Sequence, residues 1–308
     1  MRSVVLLGPQ QATMEVGRTL SELGVTEPVT LVTAGWQERE TEDEALVAQL
    51  GVPAVNLRLH ARTDERFAKD PELKVAYQAR QELLRHLQDF YRVRLDYADD
   101  AARAIAVRLV EPELLEQEHK HSIDELRHLD RDHVRRCQQI HATFDARWKL
   151  AERQAVARHR QEIRDLISPT AALVIAGGHV ASLLNRLKLF DVLSMIGPRP
   201  VIAWSAGAMV LTERIVLFHD YPPYGKDIAQ VLDAGFGLAP GLVVLPDPGR
   251  RIRRDDLAGI ARFAQRMAPS TCVAMGHGTQ VVFENGQVTR ALVDSLQTTG
   301  VLERGWAG

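Results

Sequence analysis

Between Gly51 and Gly177 this 308-residue chain has no glycine, and between Pro112 and Pro169 it has neither glycine nor proline. These two residues punctuate helices and strands most strongly, so their joint absence excludes a turn-rich middle and demands long helices there. Cysteine is nearly missing as well. Cys137 and Cys272 lie far apart in segments of different character, which excludes a disulfide framework and a thiolate metal site. Apolar runs stay under ten residues, too short to span a bilayer, and Met1 to Leu7 leads straight into a strand-like run rather than a signal peptide. A cytoplasmic location is the expectation. With a formal net charge of -2, the chain offers no global electrostatic case for nucleic acid or an anionic membrane as partner.

Outside the glycine-free middle, short apolar runs alternate with amphipathic stretches. The runs are Ser3 to Leu7, Val29 to Thr33, Ala54 to Leu57, Leu173 to Ala176, Val201 to Ala203, Leu242 to Leu245 and Cys272 to Met275. Helical stretches such as Ala12 to Leu23, Val180 to Met195 and Asp255 to Met267 separate them, a pattern that predicts an α/β fold with a doubly wound, mostly parallel sheet. Asn285-Gly286 between two strand-like runs predicts a tight hairpin closing one sheet edge. Residues 1–71 and 168–308 are expected to form the α/β domain, and 72–167 a helical insertion. Within that insertion the pattern predicts helices over Val75 to Leu95, Ala98 to Val110 and Glu113 to about Ile167. A single polar helix of that last length gains little from packing, so it must project, break or pair with another copy. A hairpin or bundle that forms a homodimer is the expectation.

Several stretches place reactive side chains at element ends. In "VIAWSAGAMVL" (201–211) a buried strand runs into Ser205, and small residues then open a helix. A serine on such a sharp turn has its hydroxyl pushed out of the sheet edge, with the Ala206 amide beside it as an oxyanion donor; equally, a serine there can simply cap the helix. "VIAGGHVASLLNRL" (174–187) sets Gly177-Gly178 between a strand and a helix, where bare backbone can approach a ligand or make a plain tight turn. Its spacing is not that of a dinucleotide-binding loop. Asp247 follows another strand and precedes Arg250, Arg251, Arg253 and Arg254, which suit either an acidic substrate or a solvated face. His277, between two glycines after a strand, has the freedom to face a cleft and the near-neutral titration of a general base, or is a surface turn residue. His219 and His179 are weaker candidates for that role. His121, Glu125 and His128 share a helix face at metal-ligand spacing, but the alternating charges around them read as a salt-bridged surface, and neither a metal nor a cofactor is expected.

Taken together, "WSAGA" (204–208), the Gly177-Gly178 turn, "TAGW" (33–36) and "GLAPGLVVLPD" (237–247) resemble the aspartyl dipeptidase and cyanophycinase family of serine peptidases, which use a class I glutamine-amidotransferase-like fold. The resemblance covers about Met1 to Val55 and Thr170 to the C-terminus, with no counterpart for the helical middle. It implies Ser205 as nucleophile and the amides of Ala206 and Gly178 as the oxyanion hole; Gly177, His179 and Arg250 are the residues expected around the substrate. The chain departs from the family at both partner positions: Asp247 stands where the family has its histidine, and His277 where it has its acid.

A serine without a base is a poor nucleophile, so the departure opens alternatives. His277 can reach Ser205 with Asp247 orienting it, giving the order serine, acid, histidine found in other hydrolases. His219 or His179 can supply the base instead. Two functions follow: a serine hydrolase, peptidase or amidase, acting on a small peptide-like or amide substrate through an acyl-enzyme at Ser205, or a catalytically inactive relative that binds or assembles through its helical insertion.

Overall fold

The computed structural model describes residues 3–11, 14–219 and 227–304. In chain order the elements begin with β1 (Ser3–Leu7), α1 (Val16–Glu22), β2 (Val29–Val32), α2 (Glu44–Leu50), β3 (Ala54–Asn56) and α3 (Leu59–Lys69). The helical middle holds α4 (Pro71–Ala106), α5 (Pro112–Trp148) and α6 (Gln154–Ile167). Then come β4 (Leu173–Ile175), α7 (Val180–Phe190), α8 (Val192–Met195), β5 (Val201–Trp204), α9 (Ala206–Leu211), β6 (Arg214–Leu217), β7 (Gln230–Ala234) and β8 (Leu242–Pro246). The last part holds α10 (Pro248–Arg251), α11 (Leu257–Met267), β9 (Thr271–Met275), β10 (Gln280–Glu284), β11 (Gln287–Leu292), β12 (Asp294–Leu296) and β13 (Leu302–Arg304).

The fold is α/β, and its main sheet has seven strands in the order β11-β10-β1-β5-β4-β2-β3. Strands β1, β5, β4, β2 and β3 run parallel, and their near-continuous Val, Ile and Leu content follows from burial on both faces. Antiparallel β10 and β11 extend the β1 edge. The predicted hairpin joins those two strands: Asn285 (φ 54°) and Gly286 (φ 80°) occupy the left-handed pair that a type I′ turn requires.

The runs at 242 and 272 do not enter this sheet as expected. They form β8 and β9 of a second sheet, ordered β13-β12-β9-β8, and β6 pairs with β7 in a separate ribbon. The edge of β1 is taken by antiparallel β10, so neither β8 nor β9 pairs with β1; they pair parallel with each other instead. The chain passes between the sheets at Gly276, and Gly8 must be glycine there, since a Cβ on it would lie 1.7 Å from the Gly276 carbonyl oxygen.

The helical middle also differs from expectation. Instead of two helices over 75–110, α4 runs unbroken, started by Asp70, whose side chain accepts from the Leu73 amide at 3.0 Å, and by Pro71 in the first turn. Leu95, Asp99 and Ala102 are buried on one continuous face, so packing favours no break near residue 96. The long third helix does break: α5 ends at Trp148, with Lys149 left-handed at φ 41°, and α6 restarts at Gln154. Helices α4 and α5 pack against the body rather than projecting. Tyr77 and Phe144 join the main core, while Tyr91, Leu95, Ile123 and Leu126 join the core beneath the second sheet. The second contact is fixed by a buried ion pair. Arg266 on α11 grips Asp130 on α5 through Nε–Oδ2 at 2.8 Å and Nη2–Oδ1 at 2.6 Å, and the Tyr91 hydroxyl donates to the same carboxylate at 2.7 Å. Among the described residues no helix is long and apolar enough to cross a membrane.

Candidate active site

In an open α/β sheet the parallel strands end together, and ligands bind where those ends meet. Here the ends of β1, β2, β4 and β5 present Gly8, Thr33, Ala176 and Ser205 along one edge, and β8 and β9 of the second sheet deliver Asp247 and Gly276. Asp247 and the end of β9 are held together, since the Asp247 amide donates to the Met275 carbonyl at 3.1 Å.

Ser205 stands on a strained turn. Its backbone lies at φ 50°, ψ -120°, a region that a residue with a Cβ adopts only where its surroundings impose it, at a cost of about 1–3 kcal/mol. Buried β5 enters the turn and buried α9 leaves it, so the strain is imposed from both sides. The hydroxyl is partly exposed and makes no hydrogen bond among the described residues, so it caps nothing. The Ala206 amide opens α9 and has no intrahelical acceptor.

Gly177 and Gly178 approach this serine as closely as backbone permits. A Cβ on Gly177 would lie 2.9 Å from the Ser205 Cβ and 3.5 Å from its hydroxyl oxygen. Gly178, at φ +117°, packs on Gly35, whose carbonyl oxygen would be 2.4 Å from an added Cβ. That carbonyl accepts from the His179 amide at 2.7 Å, while the Gly178 amide is unpaired among the described residues.

The two histidines near this edge are locked in opposite tautomers. The Nδ1 of His277 lies 3.0 Å from the Pro9 carbonyl oxygen. A carbonyl only accepts, so Nδ1 carries a proton, and in the neutral ring the lone pair is on Nε2. His179 is the reverse. Its Nδ1 accepts from the Ser182 amide at 3.2 Å, so the neutral ring carries its proton on Nε2 and is a donor. The Ser182 hydroxyl, 3.0 Å from the same nitrogen, accepts in turn from Gln37 Nε2 at 2.9 Å. Gln37 shares the strained geometry of Ser205, at φ 58°, ψ -123°.

Asp247 does not meet His277: its carboxylate faces Arg250, at 3.9 Å, and its backbone is left-handed at φ 54°. Arg250 is otherwise exposed, Arg251 lies over the Phe218 ring at 5.7 Å and Arg253 pairs with Asp227. His219 is half-buried beside the ribbon, and residues 220–226 after it fall outside the described residues. No hydrogen bond links Ser205, His277 and Asp247 among the described residues. His121 is exposed on α5, 3.9 Å from Glu118, and the described residues contain no group of three His, Cys, Asp or Glu placed to hold a metal.

Sequence reasoning missed Pro9, Ser182 and Gln37. Pro9 acts through its carbonyl, which no side-chain pattern reveals, and Gln37 and Ser182 meet across a long sequence separation.

No protein-family model and no curated protein matches this chain. Among solved structures it is similar to a peptidase from an acI-B1 Actinobacterium, at 15% identity and a TM-score of 0.46, covering 97% of this chain and 91% of that one. It is also similar to a putative peptidase E protein from Listeria monocytogenes EGD-e, at 11% identity and a TM-score of 0.46, covering 99% of this chain and 98% of that one.

Proposed function

We propose that the protein is a serine hydrolase, a peptidase or amidase acting on a small peptide-like or amide substrate through an acyl-enzyme at Ser205. The observation that carries this reading is the strained, uncapped serine at φ 50°, ψ -120°, set against two bare glycines at the sheet edge. Backbone strain that the surrounding core holds in place clusters at functional sites.

His277 is the base in this scheme. Its Nδ1–H is held by the Pro9 carbonyl, a role that in many serine hydrolases an acidic partner fills, and Nε2 is the nitrogen that takes the Ser205 proton in this scheme. Pro9 lies two residues past Leu7, which pairs with Trp204, so this carbonyl ties His277 to the strand beside the serine. Ser205 Oγ attacks the substrate carbonyl carbon as its proton moves to His277 Nε2. The oxyanion is met by the Ala206 and Gly178 amides, the amine leaves with the proton from His277, and water repeats the sequence to release the acid. Loss of one such donor costs about 10²- to 10³-fold in rate. His179, with its proton on Nε2, and Arg250, with exposed guanidinium nitrogens, are donors for a carboxylate or carbonyl on the substrate.

Intact-mass analysis after exposure to a fluorophosphonate tests the nucleophile. A single adduct mapped to Ser205, absent from Ser205→Ala, is expected; an unmodified wild type would defeat the reading.

A further inference from the structure

Helix α4 carries two apolar faces, and the fold uses one. Leu73, Tyr77, Leu87, Tyr91 and Leu95 are buried. On the other side Val75, Leu83, Phe90, Val93 and Tyr97 are exposed at 65, 53, 65, 57 and 75%. With Ala79 and His86 they recur at three- and four-residue steps, which places them in one continuous stripe along the helix. The five large side chains present on the order of 500 Å² of apolar surface, the size at which a surface patch is often functional, and more than half of the roughly 800 Å² per partner that a stable interface buries.

We infer that this stripe is the interface of an antiparallel homodimer in which two copies of α4 pack about a twofold axis beside His86. The stripe is complementary to itself under that operation. Val75 and Tyr97, Ala79 and Val93, and Leu83 and Phe90 stand at equal or near-equal steps on either side of His86, so each bulky residue faces a smaller one. The surface has matching relief. At the first half of the stripe a groove of about 920 Å³ opens between α4 and α5, with Val75, Ala79 and Leu83 on one wall and Ile140, Phe144 and Trp148 on the other. The second half carries the exposed Phe90, Val93 and Tyr97. A twofold axis seats the aromatic half of each copy in the hollow half of the other, two contacts from one surface, which is the self-complementarity an isologous interface requires. Flanking charge does not oppose the approach, because Arg85 pairs with Glu82 and Asp89 within its own helix. The dimer does not depend on the hydrolase reading.

Sedimentation velocity on the full chain tests it. A dimer at micromolar concentration is expected, with Phe90→Glu and Tyr97→Glu each weakening it by at least about 100-fold while the circular dichroism spectrum stays that of the wild type. Orientation is read by disulfide trapping, for which the native Cys137 and Cys272 are buried and silent. The double variant Val75→Cys, Tyr97→Cys should cross-link between chains on oxidation, and neither single variant should. A wild type still monomeric at roughly 100 µM, a dimer indifferent to both glutamates, or cross-linking by either single variant would overturn the proposal.

Discussion

His277 gives its Nδ1 hydrogen to the carbonyl of Pro9, at 3.0 Å, and not to the carboxylate of Asp247. A backbone oxygen fixes the tautomer without adding a negative charge, so this histidine is oriented by the end of β1. Asp247 is engaged instead with Arg250 at 3.9 Å. Its role in this arrangement is confined to the turn that opens α10.

The strain at Ser205 has a thermodynamic signature. Ser205→Ala keeps a Cβ in the unfavourable region, whereas Ser205→Gly removes it. Release of about 1–3 kcal/mol of strain exceeds the roughly 0.5–1 kcal/mol entropic penalty of glycine. The glycine variant is therefore expected to be more stable than the alanine variant by about 1 kcal/mol in urea unfolding. A glycine variant less stable than the alanine variant by about 0.5–1 kcal/mol, the bare entropic penalty, would show that the turn stores no strain.

The glycine pair is needed for close approach. Gly178→Ala puts a Cβ 2.4 Å from the Gly35 carbonyl oxygen at φ +117°, so both the contact and the conformation are penalised. Gly24, at φ +68° with nothing within 4 Å, isolates the conformational part alone. Gly178→Ala should lower stability by about 3 kcal/mol and abolish Ser205 labelling, and Gly24→Ala by about 1 kcal/mol with labelling intact. Differential scanning calorimetry and adduct yield report the two effects separately.

Asp130 and Arg266 make the joint between the helical middle and the second sheet, with side chains only 0% and 3% exposed. Asp130→Ala leaves a buried guanidinium without its counter-charge and should cost about 3–5 kcal/mol. The double variant Asp130→Leu, Arg266→Met removes both charges and should recover most of that loss. A single-variant loss under about 1 kcal/mol would mean the pair does not hold the joint.

His133 supplies a pH dependence. Burial holds its imidazole below the usual histidine value, where it stacks on Tyr91 with ring centroids 4.2 Å apart. Because the folded state resists protonation and the unfolded state does not, unfolding takes up a proton once pH falls below about 6.5. Stability should thus be full above that pH and decline between it and the lower folded-state value. His133→Phe keeps the stacking and should flatten the slope of melting temperature between pH 7 and 5; an unchanged slope would place the titration elsewhere.

What the sequence disclosed was local. The turn at Ser205 and the hairpin at Asn285-Gly286 were legible because adjacent residues dictate them: small residues after a buried strand in one case, a left-handed pair in the other. The division of the strands into two sheets was not, because β8 and β9 are as apolar as β5, and the pairing of β10 with the β1 edge is a long-range choice that no local pattern records. The break after Trp148 carries no glycine or proline to announce it. Residues that act through a carbonyl, such as Pro9, or across the fold, such as Gln37 on Ser182, leave no pattern in the chain.

The central claim is that Ser205 is activated by His277 through a backbone-fixed tautomer. It is tested most directly by the rate at which a fluorophosphonate modifies Ser205 in wild type, His277→Ala and Asp247→Asn. The account predicts a loss of about 10²- to 10⁴-fold for His277→Ala and a rate close to wild type for Asp247→Asn. A His277→Ala protein that reacts as fast as wild type, or an Asp247→Asn protein that does not react, would contradict it.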